Sequence, residues 1–223
     1  MNAQGFVLKQ LRARPLRSTL TVLAFAFSVG LVGFLLVLNR ALQEDWSPFQ
    51  GQRVMVIGKG SFFDKLPEAY LSKIQALPGV LDVAPFSFFV GFLRDNRPEN
   101  QIPVNGTDAK ALLAVYREAN VPENEVKAWM DDPTGALIGR LLQKKFGWKP
   151  GDHVALKAPV PGGAIDFTIR AVMRYDLDNG IYLHKKFFEG VTGERGLTGM
   201  YWIMAKSRDE VQPLTAALEK EFD

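Results

Sequence analysis

Residues 18–38 read STLTVLAFAFSVGLVGFLLVL, and this uncharged run of 21 residues decides how the rest of the chain is interpreted. At about 1.5 Å of rise per residue, a helix of this length reaches roughly 31 Å, close to the ~30 Å hydrocarbon core of a bilayer. Thirteen of its residues are Leu, Val or Phe. Each of these favours insertion by roughly 0.3 to 0.6 kcal/mol near the helix centre. The run therefore predicts a transmembrane helix over residues 18–39.

The charges that flank the run predict its orientation. The first 17 residues contain no acid, whereas Glu44 and Asp45 follow soon after the run. Because positively charged flanks remain in the cytoplasm, we predict that the leader, residues 1–17, lies inside and residues 40–223 lie outside. The topology charges of the leader are Lys9, Arg12, Arg14 and Arg17.

A cleaved signal peptide is the alternative interpretation of the same run. The apolar core of a signal peptide typically spans about 7 to 15 residues and ends at a small-x-small cleavage site. This run is longer, and the nearest candidate, Asn39-Arg40-Ala41, is a poor site. We therefore expect an uncleaved membrane anchor.

The net charge of +3 comes from the leader alone. The leader carries four of the 27 bases and none of the 24 acids, so the remaining chain has one acid more than it has bases. A nucleic-acid-binding domain needs clustered Lys and Arg on its folded surface, so we expect no nucleic acid partner. The leader charges suit anionic lipid headgroups instead.

The outer part predicts α+β structure in two subdomains. Residues 53–57 are predicted to form a strand, Pro67 to begin a helix and Val80 to begin a second strand. This order favours a parallel pair of strands.

The middle and end of the chain give further predictions. Pro103 predicts an edge strand, and Asp108 predicts a helix cap. A helical stripe that ends at Gly147 precedes an alternating hairpin, and the chain closes with a strand and a helix whose start is either Ser207 or Pro213. The stripe comprises Leu137, Ile138, Leu141, Leu142 and Phe146.

The order of several short motifs resembles a known family. The basic leader and first span are followed by Leu77-Pro78-Gly79-Val80, Val104-Asn105-Gly106-Thr107-Asp108, Gly139-Arg140-Leu141-Leu142 and Gly151-Asp152-His153-Val154. This order resembles ABC transporter permeases of the MacB, LolC/LolE and FtsX superfamily, from the first span through the periplasmic core domain. Such permeases continue into three further spans, whereas this sequence ends at Asp223. We therefore expect a fragment of a longer reading frame or a truncated single-span relative.

The resemblance implies a function and a set of partners. It implies a permease component in the bacterial inner membrane, with its main domain, residues 40–223, in the periplasm. A separate ABC ATPase would drive it, and motion would pass through the spans to move a lipid, lipoprotein or peptide. A second permease copy or homologue and a periplasmic adaptor or outer-membrane component are further implied partners. The alternative is a single-span envelope scaffold or binding module without transport.

The sequence offers no signature of catalysis or of a cofactor. It contains no cysteine and no Walker A loop, so neither a thiolate metal site nor ATP hydrolysis is expected. His153 and His184 are isolated in sequence. For Asp131-Asp132-Pro133 a turn is the favoured interpretation, and an acid/base pair is the alternative. Asn105-Gly106 also predicts a turn. We predict no catalytic, cofactor-binding or metal residues.

Two groups of apolar residues are the candidate functional sites. Small residues in the span allow close packing against partner helices, namely Ala26, Ser28, Gly30 and Gly33. A phenylalanine-rich group reads either as a strand buried on both faces or as a surface for lipid or a partner domain. Its members are Phe62, Phe63, Phe86, Phe88, Phe89 and Phe92.

Overall fold

The computed structural model describes residues 15–43, 50–61, 64–176 and 178–222. The chain forms two compact units, Met1–Trp46 and Ser47–Asp223. The first unit contains helix α1, Pro15–Gln43, which confirms the predicted apolar helix and extends it at both ends. The second unit mixes helices with a large sheet, so the predicted α+β class is confirmed. It is one compact unit in place of the two subdomains that we expected.

Short helices and strands alternate along the second unit. Its strands are β1 Arg53–Ile57, β2 Leu66–Pro67, β3 Val80–Phe92, β4 Gln101–Thr107, β5 Gly135–Ile138, β6 His153–Lys157, β7 Ala164–Val172, β8 Ile181–His184, β9 Leu197–Thr198 and β10 Met200–Ala205. Its helices are α2 Tyr70–Gln75, α3 Ala109–Val115, α4 Glu123–Asp131, α5 Arg140–Phe146, α6 Lys185–Thr192 and α7 Val211–Phe222.

Eight of these strands form one sheet in the order β1-β10-β3-β4-β8-β5-β7-β6, and β2 pairs with β9 separately. The pairs β4–β8 and β5–β7 are parallel, and the other neighbours are antiparallel. At the far end, Lys157 of β6 pairs with Phe92 of β3. This single residue pair links the last strand of the series back to β3.

The predicted parallel pair of β1 and β3 is wrong. The last strand, β10, lies between them and is antiparallel to both. The opening β-α-β segment is thus split by a strand that arrives from the end of the chain. Pro67, which we expected at the start of α2, lies in β2, and α2 begins at Tyr70.

Strand β4 is an interior strand, which corrects the predicted edge position. It pairs with β3 on one side and with β8 on the other, and pairing with β8 begins at Val104, one residue after Pro103. Asn105 and Gly106 lie within this strand and form no turn. A Cβ atom at Gly106 would lie 2.2 Å from Cγ of Phe188, so glycine lets α6 approach the sheet.

The predicted helical stripe is half strand. Leu137 and Ile138 belong to β5 and are fully buried, and the helix that follows is α5. On α5, Leu142 is 4% exposed, whereas Leu141 is 39% exposed. Gly147 ends α5 in the left-handed conformation, with φ of 70°, as its sequence position predicts.

Other local predictions are confirmed. The hairpin of β6 and β7 is antiparallel and alternates buried with exposed residues. The Asp108 carboxylate accepts a hydrogen bond from the Ala111 backbone N–H and caps α3. The start of α7 is an exception: it is Val211, between the two predicted positions Ser207 and Pro213. Pro213 therefore lies in the first turn, where a missing N–H costs little.

Three apolar clusters form the core of this unit. One lies against β4 to β8 with Phe167 and Phe188, and a second lies on the opposite side of these strands beneath α3 and α4, around Trp129. The third joins β1, β3 and β10 to α2 and α7. Helices therefore cover both faces of the sheet.

We predict that Leu142→Asp abolishes the cooperative unfolding transition. An unpaired carboxylate in the core costs several kcal/mol, comparable with the ~5 to 15 kcal/mol stability of a whole domain. The neighbouring change Leu141→Asp places the same charge on a partly exposed side chain, and we expect a cost of about 1 kcal/mol or less. Thermal unfolding followed by circular dichroism compares the two. Equal effects of the two changes would contradict the assigned packing of α5.

Candidate functional site

Helix α1 carries a segment, Pro15–Val37, that is long and apolar enough to cross a membrane, with a mean hydropathy of 2.5. Its large side chains are exposed: Leu20 is 59%, Phe25 72% and Phe34 62% exposed. In a folded soluble chain such a surface would be exceptional, whereas lipid would cover it without cost. The leader residues Lys9, Arg12 and Arg14 lie outside the described residues, and Arg17 lies on the first turns of α1.

The helix places three of the four predicted packing residues on one side. At about 100° per residue, Gly30 and Gly33 lie within roughly 40° of Ala26 around the axis. Ser28 lies about 200° away from Ala26, so it does not belong to the same face. Its Oγ donates a hydrogen bond to the Ala24 carbonyl at 2.8 Å. A Cβ atom at Gly30 or Gly33 would meet nothing within 4 Å, so this side of the helix is open.

The phenylalanine-rich segment of β3 contributes to the core. Phe86 is 3% exposed and packs its ring against Tyr116 and Tyr182. Phe89 points to the other face and stacks on Phe188, with ring centroids 5.3 Å apart. The prediction of a partner or lipid surface is thus wrong for Phe86, and alternate residues are packed on opposite faces. Phe88 and Phe92 are half-buried, and Phe62 and Phe63 lie outside the described residues.

His184 and Asp132, which we considered for metal or acid/base chemistry, have structural roles. Nε2 of His184 lies 2.8 Å from the Trp129 carbonyl oxygen, and its ring stacks on Trp129. The Asp132 carboxylate accepts a hydrogen bond from Arg170 at 2.7 Å and one from the Thr134 backbone N–H at 3.0 Å. Within the ranges that the structure describes, no three His, Asp or Glu side chains are grouped to hold a metal ion. His153 is exposed at the start of β6.

A buried cluster of charges holds β1, the first strand after α1. The Arg53 guanidinium pairs with the Glu118 carboxylate, and both side chains are less than 10% exposed. Arg53 Nε also donates to the Val115 carbonyl at 3.1 Å, and the guanidinium lies 4.4 Å from the Tyr116 ring centroid. Among the described residues, Oε2 of Glu118 is the one buried side-chain polar atom without a hydrogen-bond partner. Removing Arg53 would leave a buried charge uncompensated.

This cluster was not predicted from the sequence, because Arg53 and Glu118 are 65 positions apart. No local pattern marks either residue. An isolated arginine at the start of an apolar strand would be interpreted as a solvent-exposed residue at the end of that strand. The pairing follows only once α3 has packed on β3 and β10, so that the turn after it reaches Arg53.

A second acid, Asp178, lies near the same cluster. Its carboxylate accepts hydrogen bonds from the Tyr182 hydroxyl at 2.6 Å and from the Gly180 backbone N–H at 2.9 Å. Burial raises the pKa of Asp178 above its ordinary value of 3.8, these hydrogen bonds oppose the shift, and the Glu118 charge adds to it. The charged form of Asp178 is therefore disfavoured by folding.

We predict that Asp178→Asn stabilises the protein at pH 8. A carboxyl group whose pKa is raised in the folded state contributes stability at low pH, and that stability is lost as the pH rises through the folded-state pKa. Asparagine removes the charge, so the melting temperature should rise by a few degrees at pH 8 and by less at pH 4. Melting curves at both pH values measure the difference.

Asp176→Asn is the matched control. The pKa of Asp176 is lowered by its hydrogen bond from Lys144, and its carboxylate is exposed. Its replacement should leave the melting temperature at pH 8 unchanged or slightly lower. A destabilised Asp178→Asn at pH 8 would contradict the unfavourable burial of this charge.

Comparison with known proteins agrees with this architecture. Residues 18–221 match the family model of the MacB-like periplasmic core domain. No curated protein sequence matches the chain significantly.

Solved structures also match this chain, at low sequence identity. The periplasmic region of MacB from Actinobacillus actinomycetemcomitans has a TM-score of 0.54 at 12% identity, covering 77% of this chain and 84% of that one. The extracellular domain of the noncanonic ABC-type transporter YknZ from Gram-positive bacteria has a TM-score of 0.49 at 12% identity, covering 73% and 86%. A domain of a putative permease protein from Porphyromonas gingivalis has a TM-score of 0.45 at 14% identity, covering 79% and 86%.

The family match extends from the apolar helix to the last helix of the sheet-rich unit, and the MacB periplasmic region supports the fold at the level of its architecture. This chain belongs to the family of MacB-like periplasmic core domains.

Proposed function

We propose that this chain transmits ATP-driven motion from a separate ATPase to its own periplasmic domain, and that this motion moves a lipid, lipoprotein or peptide. Family membership makes the chain a component of an ABC-type transporter permease. We place its helix in the bacterial inner membrane, with the leader in the cytoplasm. Transport is a mechanical role, which requires a stiff domain and no active site.

The observation that carries this proposal is that one chain contains both an apolar, exposed helix and a domain of this family. The span candidate ends at Val37, and β1 begins at Arg53, so 15 residues separate the lipid-facing segment from the sheet. Any displacement of the helix along the membrane normal therefore reaches the domain through a short segment. A short segment transmits displacement better than a long flexible linker does.

The buried contacts of Arg53 support a mechanical role for β1. Its guanidinium is bound to the Glu118 carboxylate and to the Val115 carbonyl. These partners lie 65 and 62 positions later in the sequence. A force that reaches β1 is thereby passed to the end of α3 as well as to β10, its neighbour in the sheet. Backbone pairing and a buried ion pair resist separation together.

The direct test is co-purification. An ATPase with a Walker A loop, encoded next to this gene, should co-purify with the full chain from membranes, and its hydrolysis rate should change when the chain is present. Failure of every neighbouring ATPase to bind would favour the scaffold or binding module without transport.

The topology gives a prediction of its own. A reporter that is active only in the periplasm should be active when fused after Asp223, because the leader carries the positive charges that stay inside. The same reporter fused before Lys9 should be inactive. Activity of a cytoplasm-specific reporter after Asp223 would overturn the proposed orientation.

The small-residue side of α1 gives a second prediction. Gly30→Leu adds bulk where helix backbones would approach closely, so we expect it to impair assembly with partner spans by about 1 kcal/mol or more while insertion is unchanged. Ser28→Leu adds similar bulk on the opposite side and serves as the control. Crosslinking within membranes measures both variants, and equal effects would show that the packing side is wrongly assigned.

A further inference from the structure

A crevice opens at the carboxyl ends of β4 and β8, which are neighbouring parallel strands. The chain continues from β4 into α3 and from β8 into α6. Leu112 of α3 belongs to the apolar cluster on one face of the sheet, and Phe188 of α6 belongs to the cluster on the other face. The two helices therefore diverge to opposite sides. In α/β sheets, ligands bind in the crevice that such a divergence leaves beyond the strand ends.

The crevice has the size of a small-molecule site. Its volume is about 650 Å³, within the range of roughly 300 to 1,000 Å³ that is typical of ligand pockets. Its lining comprises residues 107–110, after β4, and residues 184–187, after β8. Met130, Pro133 and Thr134, between the end of α4 and the start of β5, complete the lining.

Lysine side chains give the crevice a net positive charge. Lys110 and Lys186 line it and are exposed, and within the described part of the chain no carboxylate lies within salt-bridge distance of either. Lys185, by contrast, pairs with Glu68 and Glu189. The one acid in the lining, Asp108, has its carboxylate engaged as the cap of α3.

Apolar side chains also line the crevice, and two of its polar side chains are held in place by contacts with the fold. Met130, Pro133 and Phe187 present carbon surface next to the lysines. The Thr107 hydroxyl donates to the Pro85 carbonyl at 2.7 Å, and His184 is held against Trp129. A site with this lining is formed before a ligand arrives, so little binding energy is lost to ordering.

We propose that this crevice binds an anionic amphiphile. A phosphate or carboxylate group contacts the ammonium groups of Lys110 and Lys186, and the attached apolar chain lies against Met130, Pro133 and Phe187. Neither half of the lining alone accounts for the site, because a purely anionic ligand would leave the apolar wall in water. The crevice belongs to the folded domain, so its binding does not depend on the proposed transport role.

Isothermal titration calorimetry tests the proposal on the full chain in discs of neutral phosphatidylcholine, with empty discs as the blank. The probes are inorganic phosphate, ethyl, butyl and hexyl phosphate, and hexanol. We expect saturable binding of hexyl phosphate and an affinity that rises along the series, by up to about fourfold for each methylene that leaves water. Inorganic phosphate and hexanol should each bind roughly tenfold or more weakly.

Paired lysine variants localise the site. Lys110→Gln with Lys186→Gln should weaken hexyl phosphate binding by roughly tenfold, since both charge-assisted contacts are lost. Lys157→Gln with Lys220→Gln removes two exposed lysines that do not line the crevice and should leave the affinity unchanged.

Three results would overturn the proposal. These are the absence of saturable hexyl phosphate binding, inorganic phosphate binding as tightly as hexyl phosphate, and an equal loss of affinity in both lysine pairs. The second result would show a plain anion site in place of an amphiphile site.

Discussion

The pairing of β3 with three other strands is the constraint on which the domain depends. This strand has 13 residues, and its first half pairs with β10, its second half with β4, and its last residue with β6. Because one continuous backbone serves all three partners, the two ends of the sheet cannot move independently without breaking its hydrogen bonds. Its aromatic residues reinforce this role by packing into the clusters on both faces. A single compact unit results, where the order of predicted strands and helices led us to expect two subdomains.

The buried Arg53–Glu118 pair adds a second link across this unit. A buried ion pair is not by itself a strong source of stability, since desolvation offsets much of the attraction. Its main consequence is for position. If either partner leaves, the charge of the other remains buried and unpaired. The pair therefore holds β1 against the turn that follows α3. The proposed role of the domain is to receive force through the segment before β1. For that role, holding β1 in place is more important than the net stability that the ion pair contributes.

The two candidate functional surfaces follow from different physical causes. The open side of α1 is a matter of composition, because small residues at helical spacing leave room for another backbone in lipid. The crevice beside β4 and β8 is a matter of topology, because two helices that follow neighbouring parallel strands pack on opposite faces. Sequence inspection predicted the first. It missed the second, since Lys110 and Lys186 are 76 positions apart and each resembles an ordinary solvated lysine.

The sequence alone determined the features that depend on local physics: the apolar helix, the Asp108 cap, the Gly147 helix end and the alternating β6–β7 hairpin. Each is encoded within a few residues by hydrophobic period, capping or turn chemistry. Tertiary structure decided the rest. Leu137 and Ile138 became a strand because β7 and β8 pair with them, Pro103 was accepted in an interior strand because pairing with β8 starts one residue later, and β10 separated β1 from β3. These outcomes depend on pairing with strands that are distant in sequence. Hydrophobic periodicity is a local pattern, so it does not indicate which distant strand will pair with a given segment.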